Sequence, residues 1–170
     1  MTSSGLSLRG AGRRPESRAI KIMRQIIYSM HFQGRSSPLS SDERVFKTTT
    51  SATSCTVRTT IDDHGVEGTH EATDGDLAFV ESEIQFTGRE SFSEKGTITF
   101  GESHLLRFST VEDGHLGPSA CPEIMAGAAN WKVEGGEGQF AEATGLITSN
   151  FTLTETGEIN DYHFGVIFVP

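Results

Sequence analysis

The chain has few of the residues that stabilise disulfide-rich or metal-dependent folds. Its 170 residues include two cysteines, one tryptophan and five prolines. Two cysteines, Cys55 and Cys121, do not make a disulfide framework, so we expect free thiols. No group of cysteines and histidines has zinc-site spacing, and no apolar run reaches the ~20 residues of a membrane-spanning helix. The sequence therefore predicts a protein with no metal, no cofactor and no membrane span.

Basic residues are also scarce outside the first thirty positions. The net charge is -9, with 14 basic and 23 acidic residues, yet six of the basic residues lie before Met30, where Glu16 is the only acidic one. We therefore divide the chain into a basic N-terminal extension, residues 1–29, and a single acidic domain, residues 30–170. An acidic domain repels the phosphate backbone, which argues against nucleic-acid binding.

The extension ends in a segment with helical spacing of apolar residues. Its positions are Ala19, Ile22, Met23, Ile26, Ile27 and Met30. This pattern predicts a helical or disordered segment outside the domain. Two interpretations stay open: an organellar transit peptide, or additional chain preceding a functional start at Met30. The first implies an organelle and the second a cytoplasmic protein.

Beyond Met30 the sequence has the pattern of β-strands. The clearest run is 77–87, where Val80, Ser82, Ile84 and Phe86 share one face and Phe79, Glu81, Glu83 and Gln85 share the other. Seven or eight such runs occur, separated by turn-forming residues, with no convincing helix among them. The pattern predicts an all-β domain, either a closed antiparallel eight-stranded barrel or a sandwich.

Glycine is concentrated in one segment near the C-terminus. Phe140 lies there among four glycines, namely Gly135, Gly136, Gly138 and Gly145. A phosphate-binding loop needs a basic residue and a following helix, and this segment has neither. We therefore predict a structural corner, where the chain turns with positive φ and packs closely.

The pattern Gly-Gly-x-Gly-x-Phe-x-x-Ala-x-Gly, followed by a strand, resembles the signature of the allene oxide cyclase and dirigent group of β-barrels. The resemblance is specific over roughly the last forty residues. It implies a calycin-like barrel rather than a sandwich. It also implies a protein, often oligomeric, that holds an apolar reactive molecule while that molecule cyclises or couples.

A barrel of this kind needs an apolar cavity and one or two polar groups. The candidate ligand-binding residues are Phe86, Phe108, Trp131, Asn150 and Phe151. The candidate catalytic residues are His104 and Tyr162. Trp131 and His104 each have a structural alternative, because both also fit as core residues. Tyr162 and His163 alternate along the last strand, and the apolar pattern favours Tyr162 as the inward residue.

Three functions follow from this interpretation. The first is a cofactor-independent isomerase or cyclase that folds a small apolar substrate for ring closure. The second is a non-catalytic ligand-binding protein of lipocalin type, and the third is a dirigent-like partner that orients radicals made by another enzyme. The run from Phe164 to Val169 is apolar on both faces, which predicts contact with another subunit in a homo-oligomer, a dimer or a trimer.

Overall fold

A computed structural model describes residues 22–39 and 44–170, and nearly all of them lie in β-strands or short turns. In the described chain one 3₁₀ turn, Gly138–Phe140, is the only helical element. The strands are β1 (Arg24–Pro38), β2 (Val45–Ala52), β3 (Cys55–Asp62), β4 (Gly65–Ala72), β5 (Ala78–Phe86), β6 (Ser91–Phe100), β7 (His104–Thr110), β8 (Gly114–Pro118), β9 (Ile124–Gly136), β10 (Thr144–Thr154) and β11 (Glu158–Val169).

Eight of the strands form a closed antiparallel barrel. Around the ring the order is β1, β2, β5, β6, β7, β9, β10 and β11, and β11 pairs with β1 to close it. The short strand β8 continues the position of β7, because it also pairs with β6 and β9. The predicted eight-stranded barrel is confirmed.

The remaining strands, β3 and β4, form a separate hairpin. It leaves the wall between β2 and β5. Since β2 pairs only with residues 33–38 of β1, the first half of β1 has no paired strand on that side. The barrel wall is therefore incomplete there, and the base of the hairpin lies beside the gap.

The structure corrects the predicted N-terminal boundary. Residues Arg24 to Ser29 belong to β1 and pair with β11, from Arg24 opposite Val169 onwards. Pairing with β11 overrides the helical spacing of this segment, as tertiary contacts often override local propensity. The predicted extension also includes residues 1–21, which lie outside the described residues.

The glycine-rich corner lies where predicted, between β9 and β10. Gly135 has a φ of +79°. A Cβ on Gly136 would collide with the carbonyl oxygen of Leu105, so only glycine allows the two backbones to approach this closely. Phe140 is 3% exposed, with its ring 5.3 Å from that of Phe100. The corner therefore plugs one end of the barrel, called here the plugged end.

The middle of the barrel is filled by side chains, and we call this layer the waist. Trp131 and Phe108 stack with ring centroids 4.0 Å apart, and the His163 ring lies 4.8 Å from Trp131 and 4.4 Å from Phe32. All four side chains are 2% exposed or less. Side chains packed this closely leave no room for a ligand in the waist.

Candidate functional site

The end of the barrel opposite the corner is open and apolar. Inward-facing residues there enclose a cavity of about 410 Å³, which we call the cup. It is lined by Ser36, Arg44, Phe46, Ile84, Phe86, Gly88, Arg89, Phe92, Leu116, Met125, Phe151, Leu153 and Ile159. A concave, mostly hydrophobic surface of this size is typical of small-molecule sites.

Aromatic rings form the wall of the cup. The centroids of neighbouring rings are 5.7 Å apart for Phe46 and Phe86, 6.2 Å for Phe86 and Phe92, and 5.9 Å for Phe92 and Phe151. Gly127 makes room for this wall, because a Cβ there would collide with the Phe151 ring. The cup is thus built from packed rings held by strands on opposite sides of the barrel.

Among the described residues that line the cup, the charged side chains are all basic. Arg44 and Arg89 are exposed side chains of its lining, and none of the described lining residues is acidic. This contrasts with the net charge of -9 for the whole chain. A guanidinium presents donors in a fork that matches a carboxylate or a phosphate. The rim of the cup therefore suits the acidic head of an otherwise apolar molecule.

The structure separates the predicted ligand-binding residues into three places. Phe86 and Phe151 lie together in the cup. Trp131 and Phe108 pack in the waist, so the alternative of core packing holds for both. Asn150 points outward from β10 into a surface groove that also contains His115 and Asp113, because the inner face of β10 belongs to the residues on either side of it.

The predicted catalytic residues do not meet. His104 lies at the plugged end, where its Nδ1 accepts a hydrogen bond from the backbone N–H of Gln139 at 3.2 Å. Tyr162 is 48% exposed on the outside of the barrel and stacks on His31, with ring centroids 4.3 Å apart. The prediction that Tyr162 points inward is wrong, and His163 takes the inner position at 1% exposure.

The waist contains a buried polar network that was not predicted from the sequence. Ser149 donates to both carboxylate oxygens of Asp161 at 2.8 and 2.9 Å, and Nε2 of His163 lies 2.9 Å from Oδ2 of the same carboxylate. The carboxylate stands between serine and histidine, so this is not the order of a nucleophilic triad. Its signal in the sequence was the alternation of Asp161 and His163 with aromatic residues.

A second buried acid lies across the waist. Ser82 donates to Oε1 of Glu94 at 2.6 Å. Burial, together with the nearby charge of Asp161, raises the pKa of Glu94 from 4.5 to about 8, although the hydrogen bond from Ser82 acts to lower it. Glu94 is therefore protonated at neutral pH. It faces the waist and not the cup, so it is not placed to act on a molecule bound there.

The plugged end has a side opening where β1 lacks a paired strand. This opening has a volume of about 800 Å³ and is lined by residues that include Tyr28, Cys55, Phe100 and His104. The hydroxyl of Tyr28 is buried without a hydrogen-bond partner, and burial raises its pKa further above the usual value. Since that hydroxyl is inaccessible to solvent, it offers no acid or base to a molecule in the opening.

Neither of the described segments supplies a metal cluster or a membrane-spanning helix: no three histidine, cysteine, aspartate or glutamate side chains converge, and no helix there has the length and apolarity of a span. Cys55 and Cys121 are both free, as predicted. In comparisons with known proteins, no family model, no curated protein and no solved structure matches the chain.

Proposed function

We propose that the chain binds a small apolar molecule with an acidic group in the cup. The observation that carries this proposal is an aromatic-lined cavity of about 410 Å³ in which Arg44 and Arg89 are the charged residues of the described lining. Burial of apolar ligand surface would supply most of the affinity, at ~25 cal/mol per Å². The arginines would hold the acidic head at the rim, where water still reaches it.

Binding without turnover fits the cup better than catalysis does. Its described lining has no histidine, tyrosine, cysteine or carboxylate to act as a general acid or base. The buried titratable groups Glu94, Asp161 and His163 are 7% exposed or less and are not among the residues that line the cup. A lipocalin-type binding protein therefore stands ahead of a cyclase.

A cofactor-independent cyclase is the second candidate. It is supported by the glycine-rich corner, which resembles that of allene oxide cyclases, and by the eight-stranded barrel. Ring closure in this cup would depend on folding the substrate into a reactive shape. Incubation with an unsaturated fatty-acid epoxide, followed by chiral chromatography, tests it. A ring product with enantiomeric excess supports it, and a product identical to the protein-free control removes it.

Calorimetric titration of the full chain with dodecanoate and dodecanol tests the binding proposal. We expect Phe86→Ala to weaken both ligands about tenfold, because it removes a wall of the cup. Phe79→Ala is the matched control, since Phe79 is on the same strand but faces outward and is 44% exposed. Absence of saturable binding, or an equal loss in the two variants, would contradict the proposal.

The acidic head has its own test. Arg89→Ala should weaken dodecanoate about fivefold and leave dodecanol unchanged, since an exposed ion pair contributes up to ~1 kcal/mol. Arg35→Ala is the control, because Arg35 lies outside the cup and donates to the carbonyl of Thr156 at 2.8 Å. Equal weakening of the acid and the alcohol by Arg89→Ala would remove the role of the arginine.

We further propose that the chain forms a homo-oligomer through the outer face of β10, β11 and β1. Cross-strand pairing brings Ile27, Leu146, Phe164 and Phe168 together there, and each is 40% exposed or more. Large contiguous apolar patches on a monomer commonly mark an interface. A second copy presents the same patch, so the two can pack about a two-fold axis.

A further inference from the structure

The base of the hairpin holds a thiol and an imidazole in contact. Cys55 is the first residue of β3, and His70 on β4 pairs with Val57, so the two side chains are diagonal neighbours on one face of the hairpin. Sγ of Cys55 lies 3.3 Å from Nε2 of His70. Sγ also lies 3.0 Å from the carbonyl oxygen of Ser29 on β1, which accepts from the thiol.

Residues of the barrel wall fix the position of the imidazole. The His31 ring lies 5.6 Å from the His70 ring, edge to face, and is itself stacked on Tyr162. Nε2 of His31 is 3.2 Å from Oδ1 of Asn160. The titratable groups that surround the pair are therefore His31 and Tyr162, and the described contacts include no carboxylate or lysine.

The pair is neutral near neutral pH. Burial raises the pKa of the Cys55 thiol, and the backbone N–H of His31 opposes this in part. Burial also lowers the pKa of His70, and the neighbouring His31 lowers it further. A thiol beside a free-base imidazole is the resting state of a nucleophile with its general base.

The pair opens onto space. Cys55 and His70 line a cleft of about 260 Å³ between the hairpin and the wall, and Cys55 also borders the side opening. Apart from the two histidines and Cys55, the described lining of the cleft has no ionisable side chain, its members being Gln33, Ser51, Ala52, Thr53, Ala72 and Leu77. A small, uncharged molecule fits this environment best.

We propose that Cys55 and His70 form a nucleophilic site that captures small uncharged α,β-unsaturated carbonyl compounds. The thiol hydrogen turns from the Ser29 carbonyl oxygen to His70 Nε2. His70 takes this proton as Sγ bonds to the β-carbon, and the π electrons move to the carbonyl oxygen as an enolate. The imidazolium then returns the proton to the α-carbon. The thiol adds across the double bond, so no oxidant or leaving group is needed. This site is independent of the cup.

The two cysteines of the full chain allow an internally controlled test with N-ethylmaleimide. Cys121 is exposed, and no histidine contact is found for it in the described chain. Alkylation rates at each cysteine are measured by peptide mass spectrometry from pH 6 to 8.5. We expect Cys55 to react at least ten times faster than Cys121 at pH 6.5, although it is less exposed. Its rate should level off once His70 is deprotonated, whereas the rate at Cys121 should keep rising with pH over the whole range.

His70→Gln should slow Cys55 about tenfold and leave Cys121 unchanged. His64→Gln is the matched control, since His64 lies exposed at the hairpin turn, with its backbone N–H bonded to Asp62. Unfolding cannot imitate the expected result, because an exposed Cys55 would react faster. If Cys55 reacts more slowly than Cys121 at every pH, or if His70→Gln leaves its rate unchanged, the pair has no nucleophilic role and only packs the hairpin against the wall.

Discussion

Strands β5 and β11 both belong to the barrel wall, yet only β11 places ionisable side chains inside. On β5 the inner face is mainly apolar and the outer face carries Glu81 and Glu83, which pair with Lys47 and Lys95. On β11 the inner face includes Asp161 and His163, and the outer face is aromatic. The two strands show that burial here follows register and pairing, and not only hydrophobic pattern.

The buried Asp161 and His163 and the exposed aromatic rings of β11 each have a physical explanation. Inside, Asp161 accepts hydrogen bonds from its neighbours, which offsets the cost of removing the carboxylate from water. Outside, the exposed rings of Tyr162 and Phe164 lie on the face through which we propose that two copies pack. Substitutions on the inner and outer faces of the barrel wall can test this contrast with β5.

The largest effect is expected from Glu94, which bonds to Ser82 of β5 and faces Asp161 of β11. Its folded-state pKa of about 8 lies above the ordinary 4.5. The folded state therefore holds the proton more tightly, so the free energy of unfolding falls as pH rises from about 4.5 to 8, by at most ~5 kcal/mol. Urea unfolding at pH 5 and pH 8 measures this. Glu94→Gln should abolish the part of the pH-dependent loss of unfolding free energy that comes from Glu94. An equal pH dependence in the wild type and the variant would contradict the raised pKa of Glu94.

The next effect is expected from neighbouring residues of β11. Asp161→Ala leaves the Ser149 hydroxyl and His163 Nε2 buried without their partner, which should cost ~3 kcal/mol of unfolding free energy. Tyr162→Ala, one residue along the strand on the outer face, should cost ~1 kcal/mol or less. Chemical denaturation of the two variants compares them. Similar losses would show that the inner network contributes nothing special.

A substitution on the outer face of β11 is expected to have the smallest effect on stability but to change the oligomeric state. Phe164→Glu should alter the free energy of unfolding by no more than ~0.5 kcal/mol, since the side chain is half exposed. The mass measured by light scattering after size exclusion should fall from that of an oligomer to that of a monomer, because the interface would have to bury the charge of the new glutamate. Phe79→Glu, on the outer face of β5, should leave the mass unchanged. A wild-type monomer would remove the proposed interface.

Sequence patterns predict this fold best where one local rule decides the outcome. The faces of β5 follow simple alternation, and the corner follows from glycines that allow a close approach and from Phe140, which is buried as a core residue. The all-β architecture was therefore predictable. The first half of β1 was not, because its spacing is helical and only pairing with β11, more than a hundred residues away, makes it a strand.

The site was less predictable than the fold, for the same reason. The cup combines residues of eight strands, and only Phe86 and Phe151 were among the expected ligand-binding residues. No short segment contains its pattern. On β11 the apolar residues Ile167 and Val169 lie an even number of positions from Asp161 and His163 and share the inner face with them. This spacing could have indicated which residues of the strand point inward.

The seam between β1 and β11 has a consequence for synthesis. These strands pair from Arg24 with Val169 to Arg35 with Glu158, which joins the two most distant elements of the described chain. During translation the ring must wait for β11 to leave the ribosome, and until then β1 and β10 both present bare edges to other nascent chains. Closure by such a distant contact is slow, on the order of milliseconds to seconds. We therefore expect yield in the cell to respond to chaperone supply.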